Sequence, residues 1–181
     1  MSAHQAPASR AGGNPQRRIS RRERIGLIVG GGLDKRLTPL GVWLYRRTKG
    51  AITRPWKVDA LLLTTRGRRS GRERTVVLQF FPDGDAMVIA AANDGGASHP
   101  GWYYNLTADP AARVEVMGRT IAVRAEELPL GDAAAWWLRI LQRAPGYERY
   151  TRATSRTFPI LRLVPAATTR EPHADGGGAV G

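Results

Sequence analysis

Short apolar runs of strand length, separated by clusters of turn residues, dominate the sequence from residue 58 onward. Val58–Thr65 (VDALLLTT), Thr75–Phe81 (TVVLQFF) and Ala86–Ala92 (AMVIAAA) predict three strands in an antiparallel meander, with Pro82, Asp83, Gly84 and Asp85 turning the second into the third. A helix is expected over Pro100–Thr107, where Trp102, Tyr103 and Leu106 recur at helical spacing before Asp109 and Pro110 stop it. Arg113–Val116 and Thr120–Glu126 predict two more strands around a turn at Met117, Gly118 and Arg119. Asp132 is the expected N-cap of a helix running through AAAWWLRILQR to Pro145; another helix is expected over Gly146–Ser155, and a last strand over Phe158–Val164. About six strands with few helices predict a mainly β chain with flanking helices, folded as a split antiparallel β-barrel.

Upstream the period changes. Leu37, Leu40, Trp43 and Leu44 recur at helical spacing beside Lys35, Arg36, Arg46 and Arg47, which predicts a basic amphipathic N-terminal helix broken upstream by Gly30, Gly31 and Gly32. Such a helix either packs on the core or lies on a membrane surface, where its cations face lipid headgroups and its tryptophan the interface. Residues 1–20 and 166–181 consist mainly of small and polar residues and are expected to be disordered tails. The expected organisation is therefore a basic tail (1–20), an N-terminal helical segment (21–57), a split-barrel catalytic domain (58–165) and a second tail (166–181).

Composition narrows the chemistry. A chain of 181 residues that is 42% hydrophobic supports one core. It has no cysteine, which excludes disulfides, thiolate metal ligands and a cysteine nucleophile, and suits a reducing, cytoplasmic location. With histidines only at 4, 99 and 173, no metal site is expected. The net charge of +13 is concentrated upstream: residues 1–74 hold 18 Lys/Arg against 4 Asp/Glu, and the remainder 10 against 11. Such a balance attracts polyanions, whether nucleic acid, anionic lipid or a phosphorylated cofactor. Neither a membrane-spanning run nor a signal-peptide core is expected.

Two segments concentrate candidate chemistry. Arg66–Arg74 (RGRRSGRER) places five arginines, a serine and two glycines between two apolar strands. Glycines let successive N–H groups converge on an anion, and arginines add bidentate bonds to phosphate or carboxylate oxygens. The same composition also describes a solvated basic turn or a nucleic-acid contact, although single-strand binders need aromatic platforms that this loop lacks. The second segment, Asn93–Asn105 (NDGGASHPGWYYN), leaves an apolar strand through a Gly-Gly turn and enters a helix, where free N–H groups can bind an anion or heterocycle carbonyls. His99 is read as a structural cap ahead of an acid–base role, Trp102 and Tyr103 as core anchors, and Tyr104 as facing outward.

These segments, in the order LLLTTRGRRSGRERTVVLQF, VIAAANDGGASHPGWYYNL, PGYERY and FPILRLV, resemble the deazaflavin (coenzyme F-420)-dependent nitroreductase and quinone reductase family over about residues 40–165. The resemblance implies a split barrel of the flavin-mononucleotide-binding type and coenzyme F-420 as cofactor. It places the coenzyme's phosphate and acidic tail on Arg68, Arg69, Ser70, Gly71 and Arg74, and its ring against Gln79, Phe80, Ala91, Ala92, Asn93 and Asn105. Tyr147 and Tyr150 match tyrosines that shape the substrate pocket and are the candidate catalytic residues. Ala144 stands where a well-known member has a further tyrosine, and Asn93-Asp94 where it has Ser-Lys, so the acceptor preference is expected to differ.

The implied reaction is hydride transfer from reduced F-420 to a quinone, an activated alkene (enone) or a nitroaromatic compound. A flavin-mononucleotide oxidoreductase on the same barrel, and a non-enzymatic polyanion or nucleic-acid binder, are the alternatives. No nucleic-acid partner is expected under the first reading. Peripheral contact with the inner face of the cell membrane fits the basic helix, and either a monomer or a homodimer is compatible with the sequence.

Overall fold

The computed structural model describes residues 38–51, 53 and 58–166; the expectations for both tails, for Gly30–Gly32 and for Leu37 lie outside the described residues. Seven strands form one sheet: β1 (Ala60–Arg66), β2 (Glu73–Gln79), β3 (Phe81–Asp83), β4 (Ala86–Ala90), β5 (Ala111–Val116), β6 (Arg119–Glu127) and β7 (Ile160–Pro165). Four helices flank it: α1 (Thr38–Thr48), α2 (Gly101–Ala108), α3 (Leu130–Arg143) and α4 (Glu148–Ala153). Short 3-10 turns lie at Asn93–Gly95 and Pro145–Tyr147.

The strand order is β2-β1-β5-β6-β7-β4-β3, and every pair is antiparallel. The two ends of this order, β2 and β3, are separated in sequence only by Phe80, so the sheet curls back toward its own start as a split barrel. The expected strand Thr75–Phe81 is thus two strands. Its first part pairs with β1 and its last residues with β4. Phe80 is the corner: its ring is buried and its N–H donates to the Asp59 carbonyl at 2.9 Å. The expected meander is accordingly bent across two walls of the barrel.

Leu61, Leu63, Ile89, Val114 and Leu163 are fully buried inside the barrel. Leu62 and Val88 point the other way and are buried too, because α1 covers β1 through Tyr45 while α3 covers β4 and β7 through Trp136 and Ile140. That explains the unbroken apolar runs LLL and MVI, since a strand covered on both faces loses the polar alternation of a half-exposed one. Each such buried side chain contributes about 1.5–3 kcal/mol of transfer free energy.

Two boundaries differ from the sequence reading. On α1 the buried face is Tyr45, with Val42 half-buried beside it, whereas Leu40 and Trp43 are each 59% exposed. The Tyr45 hydroxyl donates to the Ala60 carbonyl at 2.7 Å, a bond that the leucines of the expected stripe cannot make. Asp132 lies inside the first turn of α3 rather than at its cap; Pro129 precedes the helix and makes no side-chain cap bond, so the acid serves the helix dipole instead.

Candidate functional site

The loop between β1 and β2 folds on itself before it meets anything else. Gly67 N–H donates to the Arg72 carbonyl (2.8 Å) and Gly71 N–H to the Gly67 carbonyl (2.7 Å), with Gly71 at a φ of +66° that disfavours a side chain. At Gly67 a Cβ would come within 2.9 Å of the Ser70 hydroxyl oxygen and 3.1 Å of the Arg72 carbonyl, so this glycine is required by the tightness of the turn. Asn105, buried on α2, then fixes the loop to the barrel. Its Oδ1 accepts from the Arg68 N–H (3.1 Å) and its Nδ2 donates to the Thr65 hydroxyl (3.0 Å).

The result is a cavity of about 880 Å³, lined on the side of this loop by Gly67, Arg68, Arg69, Ser70 and Arg74. Arg68, Arg69 and Arg74 have no carboxylate partner among the described residues, while nearby Glu73 is taken by Arg113. The Arg68 guanidinium lies 4.5 Å over the Tyr104 ring, so the residue read as outward-facing supports that guanidinium. Gln79, Ala92, Asn93, Trp102 and Asn105 line it as well, and Tyr147 and Tyr150 supply its phenols. Pro39 and Val42 of α1 close one side.

Three residues of the sequence reading lie outside this lining. Gly71 turns the loop without facing the cavity, and the Phe80 and Ala91 side chains belong to the barrel core. Ala90 faces the cavity instead. On either side of Ala91, Ala90 and Ala92 share one face, which is the alternation of a strand, and that period was the available signal.

The stretch after β4 is held by a residue that sequence reasoning passed over. The Arg156 guanidinium donates to the carbonyls of Ala92 (2.7 Å), Gly96 (3.2 Å) and Ala91 (3.3 Å), and to His99 Nδ1. An imidazole nitrogen that accepts from a guanidinium is unprotonated; burial first, and Arg156 second, keep the His99 pKa below its usual value. His99 is therefore structural, as read, but it braces Arg156 and not the helix, whose N-cap Pro100 has no side-chain cap bond. Trp102 is buried in the core, and Tyr103, half-buried, donates to Glu127 (3.0 Å).

At the tyrosine end, Tyr147 sits edge-on to Phe81, Trp137 and Tyr150. Burial raises the pKa of both phenols; that of Tyr150 is pushed up to about 12, with the charge of nearby Asp94 adding to the effect. Both remain protonated near neutral pH and can donate a hydrogen bond into the cavity.

The donor set suits a flat heterocycle with a long acidic tail. Three guanidiniums without acid partners, apolar and amide side chains, and two protonated phenols line one cavity. Fold and site together define a class: split-barrel proteins built to hold an anionic redox coenzyme against a second, smaller guest. The sequence profile of the F-420H(2)-dependent quinone reductase family matches residues 38–165, and the chain belongs to that family. It is an oxidoreductase, and coenzyme F-420 is its cofactor.

An F-420H(2)-dependent quinone reductase of Mycobacterium tuberculosis is 34% identical over 125 residues, which cover 66% of this chain and 84% of the relative. A solved F-420-H2 Dependent Reductase matches with a TM-score of 0.53 at 28% identity, over 58% of this chain and 93% of its own. A second solved structure, described as a domain-swapped dimer, matches with a TM-score of 0.53 at 26% identity, over 67% of this chain and 96% of its own.

Proposed function

We propose that this protein reduces a quinone, with the coenzyme's acidic tail clamped by Arg68, Arg69, Ser70 and Arg74 and the acceptor seated at Tyr147 and Tyr150. The observation that carries this reading is the convergence of the three arginines and the two phenols on one cavity of about 880 Å³. When bound, the reduced coenzyme supplies the hydride. The chain's own residues bind and orient. Gln79, Ala92 and Asn93 wall the slot where the ring would lie, and the buried Trp102 adds apolar surface to it. Asn105 acts less as a contact than as the post of the arginine loop, because its amide already serves Arg68 and Thr65. The phenols of Tyr147 and Tyr150 donate hydrogen bonds to an acceptor oxygen, where negative charge develops during reduction.

A quinone is favoured over nitro compounds or enones by the quinone reductase family to which the chain belongs, and the Tyr147 and Tyr150 rings that line the cavity offer it apolar contact beside their hydroxyls. The test is anaerobic oxidation of reduced F-420 by a naphthoquinone, a nitroimidazole and a cyclic enone in parallel. The naphthoquinone should show the highest kcat/KM, and Tyr147→Phe should lower kcat on it by about a hundredfold, the scale of one lost hydrogen bond to a developing negative charge. Preference for the nitro compound, or unchanged kinetics in Tyr147→Phe, would overturn the assignment of these phenols.

A further inference from the structure

Behind Tyr150 lies a side chain in an unusual position. Asn93, Asp94 and Gly95 have φ values of +49°, +52° and +78°, three consecutive left-handed residues directly after the cavity-lining Ala92. Gly95 is pressed so closely on α4 that a Cβ there would lie 2.9 Å from the Ala153 Cβ and 3.1 Å from the Tyr150 carbonyl. This contact locks the turn to the helix that carries Tyr150. Locked this way, both carboxylate oxygens of Asp94 are buried and make no hydrogen bond, the only such side-chain atoms among the described residues. A buried carboxylate without a hydrogen-bond donor is costly, and a left-handed Asp adds backbone strain.

The groups facing Asp94 are Tyr150 and Arg149 of α4 and, from the 3-10 turn before it, Tyr147. Arg149 Nη2 donates to the Tyr150 hydroxyl oxygen at 3.1 Å, and its guanidinium lies 4.9 Å over the same ring. With that oxygen accepting from Arg149, the Tyr150 O–H is left to donate elsewhere. Two directions are open, into the cavity or toward Asp94, which interacts with the hydroxyl without meeting the geometry of a hydrogen bond.

We propose that Asp94 is the proton reservoir of Tyr150: as a carboxylic acid it restores the phenol after Tyr150 has protonated the reduced acceptor. The inference rests on the reading that places the acceptor at Tyr150. When the acceptor oxygen gains the electron pair that arrives with the hydride, the Tyr150 O–H bond breaks and an O–H bond forms on the product. The Asp94 O–H bond then breaks to re-form the phenol, and the carboxylate regains its proton from solvent as product leaves. Asp94 touches neither coenzyme nor acceptor, and so is a positioning residue that acts through Tyr150.

Burial holds the Asp94 carboxyl above its usual pKa, against the opposing pull of Tyr150 and Arg149. The folded state therefore binds this proton more tightly than the unfolded chain. The stability it contributes is complete below the unfolded pKa of 3.8 and is lost as pH rises through the folded value. Above the folded value an ionised Asp94 is a liability.

The test uses Asp94→Asn, which keeps the shape and suits the left-handed backbone, with Asp94→Gly as a second variant that also tolerates it. In the protein without coenzyme, carbon-13 NMR should show the Asp94 carboxyl titrating above 3.8, and Tyr150→Phe should move it higher still. Asp94→Asn should raise Tm above the Asp94 titration, by a margin that shrinks as pH falls through it, yet keep F-420 affinity. With the naphthoquinone, wild-type kcat should fall as pH rises through the Asp94 titration. Both variants should lose that inflection and about a hundredfold in kcat, the scale of acid–base assistance. If Asp94→Asn retains the wild-type pH profile while Tyr150→Phe abolishes turnover, the reservoir role is wrong and the acceptor site stands. If Tyr150→Phe leaves turnover intact, the site reading itself is wrong.

Discussion

Asn105 shows how one side chain can set the geometry of a charged loop without carrying charge. Its Oδ1 holds the Arg68 backbone and its Nδ2 the buried Thr65 hydroxyl, so that α2, the end of β1 and the arginine loop share one anchor. Replacing it with Ala removes both bonds and leaves the Thr65 oxygen without its donor, at a cost of about 1–3 kcal/mol. Asn105→Ala should therefore show a lower midpoint in urea and weaker F-420 binding together; a loss of stability with unchanged coenzyme affinity would show that the loop keeps its shape without this post. At this scale the sequence was readable where charge and glycine are dense, as in Arg66–Arg74. It was opaque at Arg156 and Asp94. A lone arginine whose partners are backbone carbonyls carries no pattern in sequence, and nothing in the run Asn-Asp-Gly-Gly says that the aspartate will be turned inward by a left-handed backbone.

Among the elements, α1 combines two surfaces. Pro39 and Val42 line the cavity, while Leu40 and Trp43 are exposed beside Arg47 and Lys49. No helix of the described residues is long and apolar enough to cross a membrane. Because α1 lines the cavity on one side and presents Leu, Trp and basic residues on the other, we propose that it touches an anionic bilayer surface. The full-length chain should co-sediment with vesicles containing anionic lipid, less so at high salt, and Leu40→Ser with Trp43→Ser should release it while leaving F-420 affinity intact. Co-sedimentation undiminished by the two substitutions would remove α1 from that role. The amphipathic period revealed this helix in the sequence but not its inward face, because Tyr45 is chosen by its bond to Ala60 rather than by apolarity. Likewise the continuous run TVVLQFF revealed a strand but hid its corner, since Phe80 is as apolar as its neighbours and only the change of pairing partner marks the break.

For the molecule as a whole, the barrel places a cationic loop and two phenols on one cavity, with the +13 charge of the chain biasing encounter toward anionic ligands. The strand order makes this possible: β1 and β2 carry the arginine loop, while β4 leads into the turn that α4 and Arg156 hold in place. Attraction between exposed guanidiniums and an acidic tail is screened over about 8 Å at physiological ionic strength, so coenzyme affinity should weaken as salt is added. The decisive measurement is a fluorescence titration with F-420, run beside flavin mononucleotide at low and high salt, on the wild-type protein and on the Arg68→Ala, Arg69→Ala, Arg74→Ala triple variant. Saturable binding that favours F-420, weakens with salt, and falls in the triple variant together with its salt dependence is the expected result. Equal affinity for both coenzymes, or an F-420 affinity that the three substitutions leave unchanged, would contradict the assignment of the arginine loop as the clamp.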